Sequence, residues 1–241
     1  MRPEERLIVA LDVSSAREAR KIVQALGTAI STYKIGNQLF TAEGPGVVRE
    51  LVESGKDVFL DLKFHDIPNT VAGGVRSAVA LGISMLTVHA AGGSAMLRAA
   101  MEAARQAPTP PTVLAVTVLT SLSDADLQET GVARRSRDHA LVLATLAQKC
   151  GCDGVVASPH EARLIRQDMG AGLVIVTPGI RPAGSAKGDQ ARLNTPAEAI
   201  AAGADYLVVG RPITGAADPR GAAEAIVAEI QGADGKAKSG K

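Results

Sequence analysis

Asp61, Lys63 and Asp66 fall within six positions of VFLDLKFHDI (58–67), immediately after an apolar run. A carboxylate, an ammonium and a second carboxylate at that spacing can pass a proton or stabilise charge on a reacting atom. Asp12, in LIVALDV, and Lys34, in TYKIG, add a further carboxylate and ammonium to two earlier apolar runs. Buried charge is costly, so apolar segments that end in charge call for an explanation. Side chains alternate along a strand, which puts Asp61 and Lys63 on one face and Leu62 on the other. Asp66 falls past the run and is not tied to that face. Each residue also has a plainer reading. A terminal Asp such as Asp12 or Asp66 often only caps a helix, and a lone Lys can simply pair with a carboxylate. The combination is harder to explain that way, because a buried ion network is weak evidence for stability and better evidence for a site.

The elements that must carry these residues are short β-branched runs with helical segments between them. The strand candidates are LIVALDV (7–13), TYKIG (32–36), VFLDLKF (58–64), MLTVHA (85–90), TVLAVTVL (112–119), GVVAS (154–158), LVIVTPG (173–179) and YLVVGRP (206–212). Several helices open with a start signature. Ser15-x-x-Glu18 is a capping-box pattern, and Ser158-Pro159-x-Glu161 and Thr195-Pro196-x-Glu198 add proline at the first helical position. Strands alternating with helices imply parallel βα units. The length of 241 residues suits an α/β protein with a (β/α)8 TIM-barrel architecture in a single domain over residues 1–230. The rival is a doubly wound open sheet, but ALDVSS stands where its glycine-rich turn would follow the first strand. QGADGKAKSGK (231–241) has no apolar face and reads as a flexible C-terminal tail.

Active sites of such barrels lie at the C-terminal ends of the strands. Asp12, Lys34, Asp61, Lys63, His89, Thr120 with Ser121, and Arg211 all fall at or near such ends. A second cluster suits phosphate. TPGIRP (177–182) and VVGRPIT (208–214) follow the seventh and eighth strands, the recurrent phosphate position of this fold. Glycine lets backbone N–H groups approach an anion, and arginine supplies a forked, permanently charged donor. Gly210 and Arg211 are the leading candidates, with Arg181 and Gln190 flanking the small-residue loop AGSAKGDQ (183–190). Ordinary βα turns are the plain alternative. The histidines are less informative: His65 is expected to face away from Asp66, His89 to line the site or fill the barrel, and His139 and His160 to sit on helix surfaces. No His/Asp/Glu spacing indicates a metal, and no nucleophile elbow appears.

Composition narrows the partners. The net charge is +1 with no basic block, which disfavours nucleic acid and anionic membranes. There is no Trp, with two Tyr and three Phe, so platforms for stacked bases are lacking and the core must be aliphatic. No apolar run is long enough to span a bilayer, and MRPEERLIVALDV does not read as a signal peptide. Cys150 and Cys152, in KCGCDG, are too close to staple a fold. They are expected to be reduced thiols in a cytoplasmic protein.

FLDLKFHDIPNTV resembles the Asp-x-Lys-x-x-Asp-Ile-Pro-x-Thr signature of the orotidine 5′-phosphate decarboxylase family, in its free-standing form. ALD with Asp12, YKIGNQLF with Lys34, VTVLTS with Thr120, PGIRP…GDQAR with Arg181 and Gln190, and VVGRPIT with Gly210 and Arg211 agree in order and spacing. The resemblance covers nearly the whole chain. It implies decarboxylation of orotidine 5′-monophosphate to UMP, the last step of de novo pyrimidine synthesis, with no metal and no cofactor. It implies Lys63 as proton donor to C6, Asp61 against the substrate carboxylate, and Lys34 and Asp66 completing an alternating charge array. It also implies a homodimer with shared active sites, in which Asp66, Ile67 and Thr70 reach the neighbouring site. Asp12 would bind ribose hydroxyls, Thr120 and Ser121 would contact the base, and Gln190, Gly210 and Arg211 would hold the phosphate with Arg181 nearby.

Three rivals share part of this pattern. The keto-gulonate-phosphate decarboxylase and hexulose-phosphate synthase relatives use magnesium and a Glu at the end of the second strand; here Lys34 stands there and would repel the ion. A Schiff-base aldolase would use Lys63 as nucleophile on a carbonyl substrate. A phosphosugar-binding barrel without catalysis would leave the Asp/Lys array unexplained.

Overall fold

The computed structural model describes residues 1–182 and 195–239, with side chains described through residue 233. Eight parallel strands close into a barrel in chain order: β1 (Leu7–Ala10), β2 (Thr32–Gly36), β3 (Asp57–Phe64), β4 (Met85–His89), β5 (Thr112–Val116), β6 (Gly154–Val156), β7 (Val174–Thr177) and β8 (Tyr206–Val209). Closure comes from β1 pairing with β8, in register Leu7 to Leu207 and Val9 to Val209. The expected (β/α)8 barrel is therefore what the chain forms.

Alternation along the strands sorts the aliphatic residues into two cores. Ile8, Ala10, Phe59, Met85, Leu114, Val176 and Val208 point inward and fill the barrel. Leu7, Val9, Tyr33, Ile35, Val58, Leu60 and their counterparts point outward against the helices. Burying a side chain such as Phe59 fully contributes about 1.5–3 kcal/mol. Gly154 marks where the inner core has no room. A Cβ there would lie 2.4 Å from the Val174 carbonyl oxygen and 2.7 Å from Leu114 Cδ2.

Six of the strands end earlier than the runs that predict them. LIVALDV leaves the sheet after Ala10, although the Leu11 N–H still bonds the Lys34 carbonyl at 2.9 Å. TVLAVTVL leaves after Val116, and Val118 is buried outside the ladder. Leu11 and Val118 stay apolar because both remain in the buried cluster between barrel and helices.

The helix starts follow the side-chain chemistry. Ser15 accepts from the Glu18 N–H at 3.3 Å, while Glu18 reaches the Ser14 N–H rather than completing a box with Ser15. Ser158 with Glu161, and Thr195 with Glu198, form reciprocal capping boxes with proline in the first turn. The last helix spans Pro219–Ser239, so helical backbone continues into the segment read as a tail. Among the described residues no helix is long and apolar enough to cross a membrane. Cys150 and Cys152 are both free and buried, and burial pushes the Cys152 thiol up to about 12.

Candidate active site

A cavity of about 590 Å³ opens at the C-terminal mouth of the barrel, above Phe59, Val156 and Val208 of the inner core. That volume suits a ligand of nucleotide size. Asp12, Lys34, Asp61, Lys63, Thr120, Arg181, Gly210 and Arg211 all line it. These eight residues come from six different strand ends, so barrel closure is what brings them together.

On one side the charges form a chain of alternating sign. Lys34 Nζ lies 2.9 Å from Asp12 Oδ1 and 3.6 Å from Asp61 Oδ2, and Lys63 Nζ lies 2.9 Å from Asp61 Oδ1. The middle of the chain is the most enclosed: the Lys34 and Asp61 side chains are 11% and 12% exposed, against 55% for Asp12. Each enclosed charge therefore has an opposite charge beside it, whose attraction offsets part of the cost of taking it out of water. Gly36, at the end of β2, makes room for the first link. A Cβ there would lie 3.0 Å from Lys34 Nζ and 3.4 Å from Asp12 Oδ1.

Lys63 reaches Asp61 by a route that simple alternation does not describe. Its backbone is left-handed, with φ +52°, the one non-glycine residue at positive φ among those described. Such a conformation costs about 1–3 kcal/mol and persists only where the surroundings impose it. It coincides with a break in the ladder. Leu60 is in register with Leu86 and Phe64 with Val88, so Asp61, Leu62 and Lys63 stand opposite Thr87 alone. Thr87, fully buried on β4, accepts from the Lys63 N–H at 2.9 Å and donates to Asp61 Oδ1 at 3.0 Å.

On the far side, Arg181 follows β7, four strands round the barrel from β3, and Arg211 follows the adjacent β8 at the rim. Two guanidinium groups there face the same cavity as the Lys63 ammonium, an arrangement suited to a phosphate at one end of a ligand and reacting carbon at the other. Gln190 lies outside the described residues.

Four expected residues do not line the cavity of the single chain: Asp66, Ile67, Thr70 and Ser121. All four are exposed, Ile67 at 66%. Asp66 accepts from the Ile67 N–H at 2.6 Å through Oδ1. His65 is exposed and stacks on His89, with ring centroids 5.1 Å apart. His89 therefore neither lines the cavity nor fills the barrel; burial first, then the nearby His65 and Lys63, hold its imidazole below the usual range. His160 is on the surface, but His139 is partly buried with Nδ1 lacking a hydrogen-bond partner, because its helix turns that face inward.

Two cavity or near-cavity residues escape the sequence reading. Gln38 lines the mouth from the first turn after β2 and donates to Ser14 Oγ at 3.0 Å. Thr87 reads as an ordinary β-branched strand residue; its signal is a polar side chain at the inward position after Met85. Among the described residues, no three His, Cys, Asp or Glu side chains gather as metal ligands.

The sequence model of the "Orotidine 5′-phosphate decarboxylase / HUMPS family" matches residues 5–226. A protein named orotidine 5′-phosphate decarboxylase from Moorella thermoacetica is 52% identical over 237 residues, covering 96% of this chain and 94% of that one. One of the same name from Halorhodospira halophila is 54% identical over 228 residues, covering 95% and 97%. The crystal structure of orotidine 5′-phosphate decarboxylase from Lactobacillus acidophilus superposes with a TM-score of 0.85 at 40% identity, covering 94% of this chain and 99% of that one. With a closed barrel, an alternating Asp/Lys chain at its mouth and relatives matched over nearly their full length, this chain belongs to the orotidine 5′-phosphate decarboxylase / HUMPS family.

Proposed function

We propose that the protein converts orotidine 5′-monophosphate to UMP and carbon dioxide in pyrimidine biosynthesis, using its own side chains and neither metal nor organic cofactor. The names of its relatives support the reaction. The observation that carries the mechanism is the Asp12–Lys34–Asp61–Lys63 chain facing a cavity with arginines at its other end.

Breaking the bond between C6 and the carboxylate leaves an electron pair on a ring carbon that has no good sink. An ammonium fixed beside that carbon stabilises the developing charge and then delivers a proton to it. Lys63 fills this role, and its proton is replaced from solvent after UMP leaves. Asp61 holds the ammonium from behind and faces the departing carboxylate. Lys34 pairs with Asp61 and, with Asp12, meets the ribose hydroxyls. Arg211, Arg181 and the Gly210 backbone take the phosphate, joined by Gln190. Thr120 meets the base. Binding energy gathered at the phosphate, far from C6, orders the site for the step at C6.

Asp66, Ile67 and Thr70 complete the neighbouring site in a homodimer; their exposure on the single chain leaves them available to a second copy. Lys34 argues against the magnesium-dependent branch of the family, because its ammonium occupies the place of a metal-ligating carboxylate. The test is turnover before and after EDTA. Equal rates of UMP formation support the metal-free reading. A loss on chelation that magnesium restores would move the protein to the other branch.

A further inference from the structure

We propose that Thr87 is a positioning residue for this chemistry: its hydroxyl sets both the left-handed backbone of Lys63 and the carboxylate of Asp61. The inference rests on the reading of Lys63 as proton donor. It begins with the gap in the ladder. Between the Leu60–Leu86 and Phe64–Val88 pairs, three β3 residues face one β4 residue, so Lys63 falls where the β3–β4 register is broken. There the Thr87 hydroxyl accepts from the Lys63 N–H at 2.9 Å. A hydroxyl has one proton to donate, and a carboxylate only accepts. The bond from Thr87 to Asp61 Oδ1, 3.0 Å long, is therefore fixed in direction. The same Oδ1 receives Lys63 Nζ at 2.9 Å.

These three bonds close a ring: Thr87 to the Lys63 backbone, the Lys63 side chain to Asp61, and Asp61 back to Thr87. The ring is anchored at a residue with 0% exposure. A left-handed lysine needs over-determination by its surroundings, and this ring supplies it. Without the hydroxyl, the Lys63 N–H is left unpaired in a partly buried site, and the backbone is free to relax toward an extended conformation. The ammonium then moves away from C6. A displacement of about 1 Å is enough to cost on the order of a hundredfold in rate.

Thr87→Val keeps the shape and branching and removes both bonds; Thr87→Ser keeps the hydroxyl and removes a methyl. Thr87→Val is expected to lower kcat by about a hundredfold, with affinity for UMP, held mainly through phosphate and ribose, changed much less. Thr87→Ser is expected to recover most of the rate. A merely structural role gives a different pattern: the serine variant loses as much as the valine variant, or the valine variant loses UMP affinity and thermal stability with kcat per folded site unchanged. Either pattern, or a valine variant with wild-type kcat, overturns the proposal. Hydrogen exchange at the Lys63 amide reads the positioning without any reaction. Exchange should rise at least about tenfold in the valine variant, as expected for losing the bond that protects it, and not in the serine variant. No rise overturns the proposal. Wild-type protein that fails to turn over orotidine 5′-monophosphate would instead sink the functional reading, leaving the exchange result to decide the role of Thr87.

Discussion

The Lys63 ammonium donates to Asp61 across 2.9 Å, from two residues further along the same strand. In a regular strand those two side chains would stand parallel and about 7 Å apart at their bases. Here the left-handed Lys63 and the break opposite Thr87 bring them into contact. A strand that would otherwise be barrel wall thus brings an ammonium and a carboxylate together at the barrel mouth.

Gly36 offers a way to displace the array without removing a charge. Its backbone is extended, with φ −101° and ψ −175°, so alanine introduces no backbone strain and acts only through its Cβ against Lys34 Nζ and Asp12. Gly36→Ala should lower kcat/KM by about tenfold to a hundredfold, with Tm within about 4 °C of wild type. Steady-state kinetics beside a thermal melt checks this. Unchanged kcat/KM would show that the seat of the Lys34 ammonium is unimportant.

Arg211 is expected to act on phosphate alone. Hydrogen bonds to charged groups contribute about 1.5–3 kcal/mol, so Arg211→Ala should weaken UMP by roughly 10- to 100-fold. Uridine, which lacks the phosphate, should bind almost as before. Calorimetry with the two ligands separates the outcomes, and equal losses would remove Arg211 from phosphate binding.

His89 gives a prediction for pH. Its imidazole is held below the ordinary value, by burial first and then by His65 and Lys63. The unfolded chain therefore binds a proton that the folded chain resists. The stability involved is fully present above the unfolded value of about 6.5 and is lost as pH falls through the lower folded value. Tm should fall below about pH 6.5, and less steeply in His89→Gln. His139, shifted the same way by burial and Arg134, should keep part of the slope in that variant. Identical slopes would show that His89 does not contribute.

Shared sites can be read by mixing. Lys63→Ala and Asp66→Ala should each be nearly inactive as pure proteins. Unfolded and refolded together in equal amounts, they should recover about a quarter of wild-type activity, because half the dimers are mixed and each has one intact site. Mixed dimers that form without activity would place Asp66 in its own subunit's site or in none.

The barrel is legible because each strand alternates or runs apolar for its own length and each helix carries its own start signal. Asp12, Lys34 and Asp61 are legible for the same reason: Ala10, Thr32 and Phe59 precede them at the same parity. Lys63 falls on the correct face by counting, yet the chain arrives there by a left-handed turn that no residue type announces; lysine has no preference for positive φ. Thr87 is hidden because threonine is common in strands for its shape, and its partners are 26 and 24 residues away. Strand ends are overrun because loop residues such as Leu11 and Val118 are as buried as the strands they follow. Asp66, Ile67 and Thr70 can be read from the resemblance alone, since a single chain leaves them at its surface.

The central claim is that Lys63 delivers the proton to C6. Turnover of orotidine 5′-monophosphate by EDTA-treated wild type and Lys63→Ala, followed in parallel by the fall in near-UV absorbance, tests it most directly. Wild type should form UMP, and Lys63→Ala should lose at least about a thousandfold in kcat with its UMP affinity and Tm largely kept. A Lys63→Ala protein that retains a tenth or more of wild-type kcat would contradict the account.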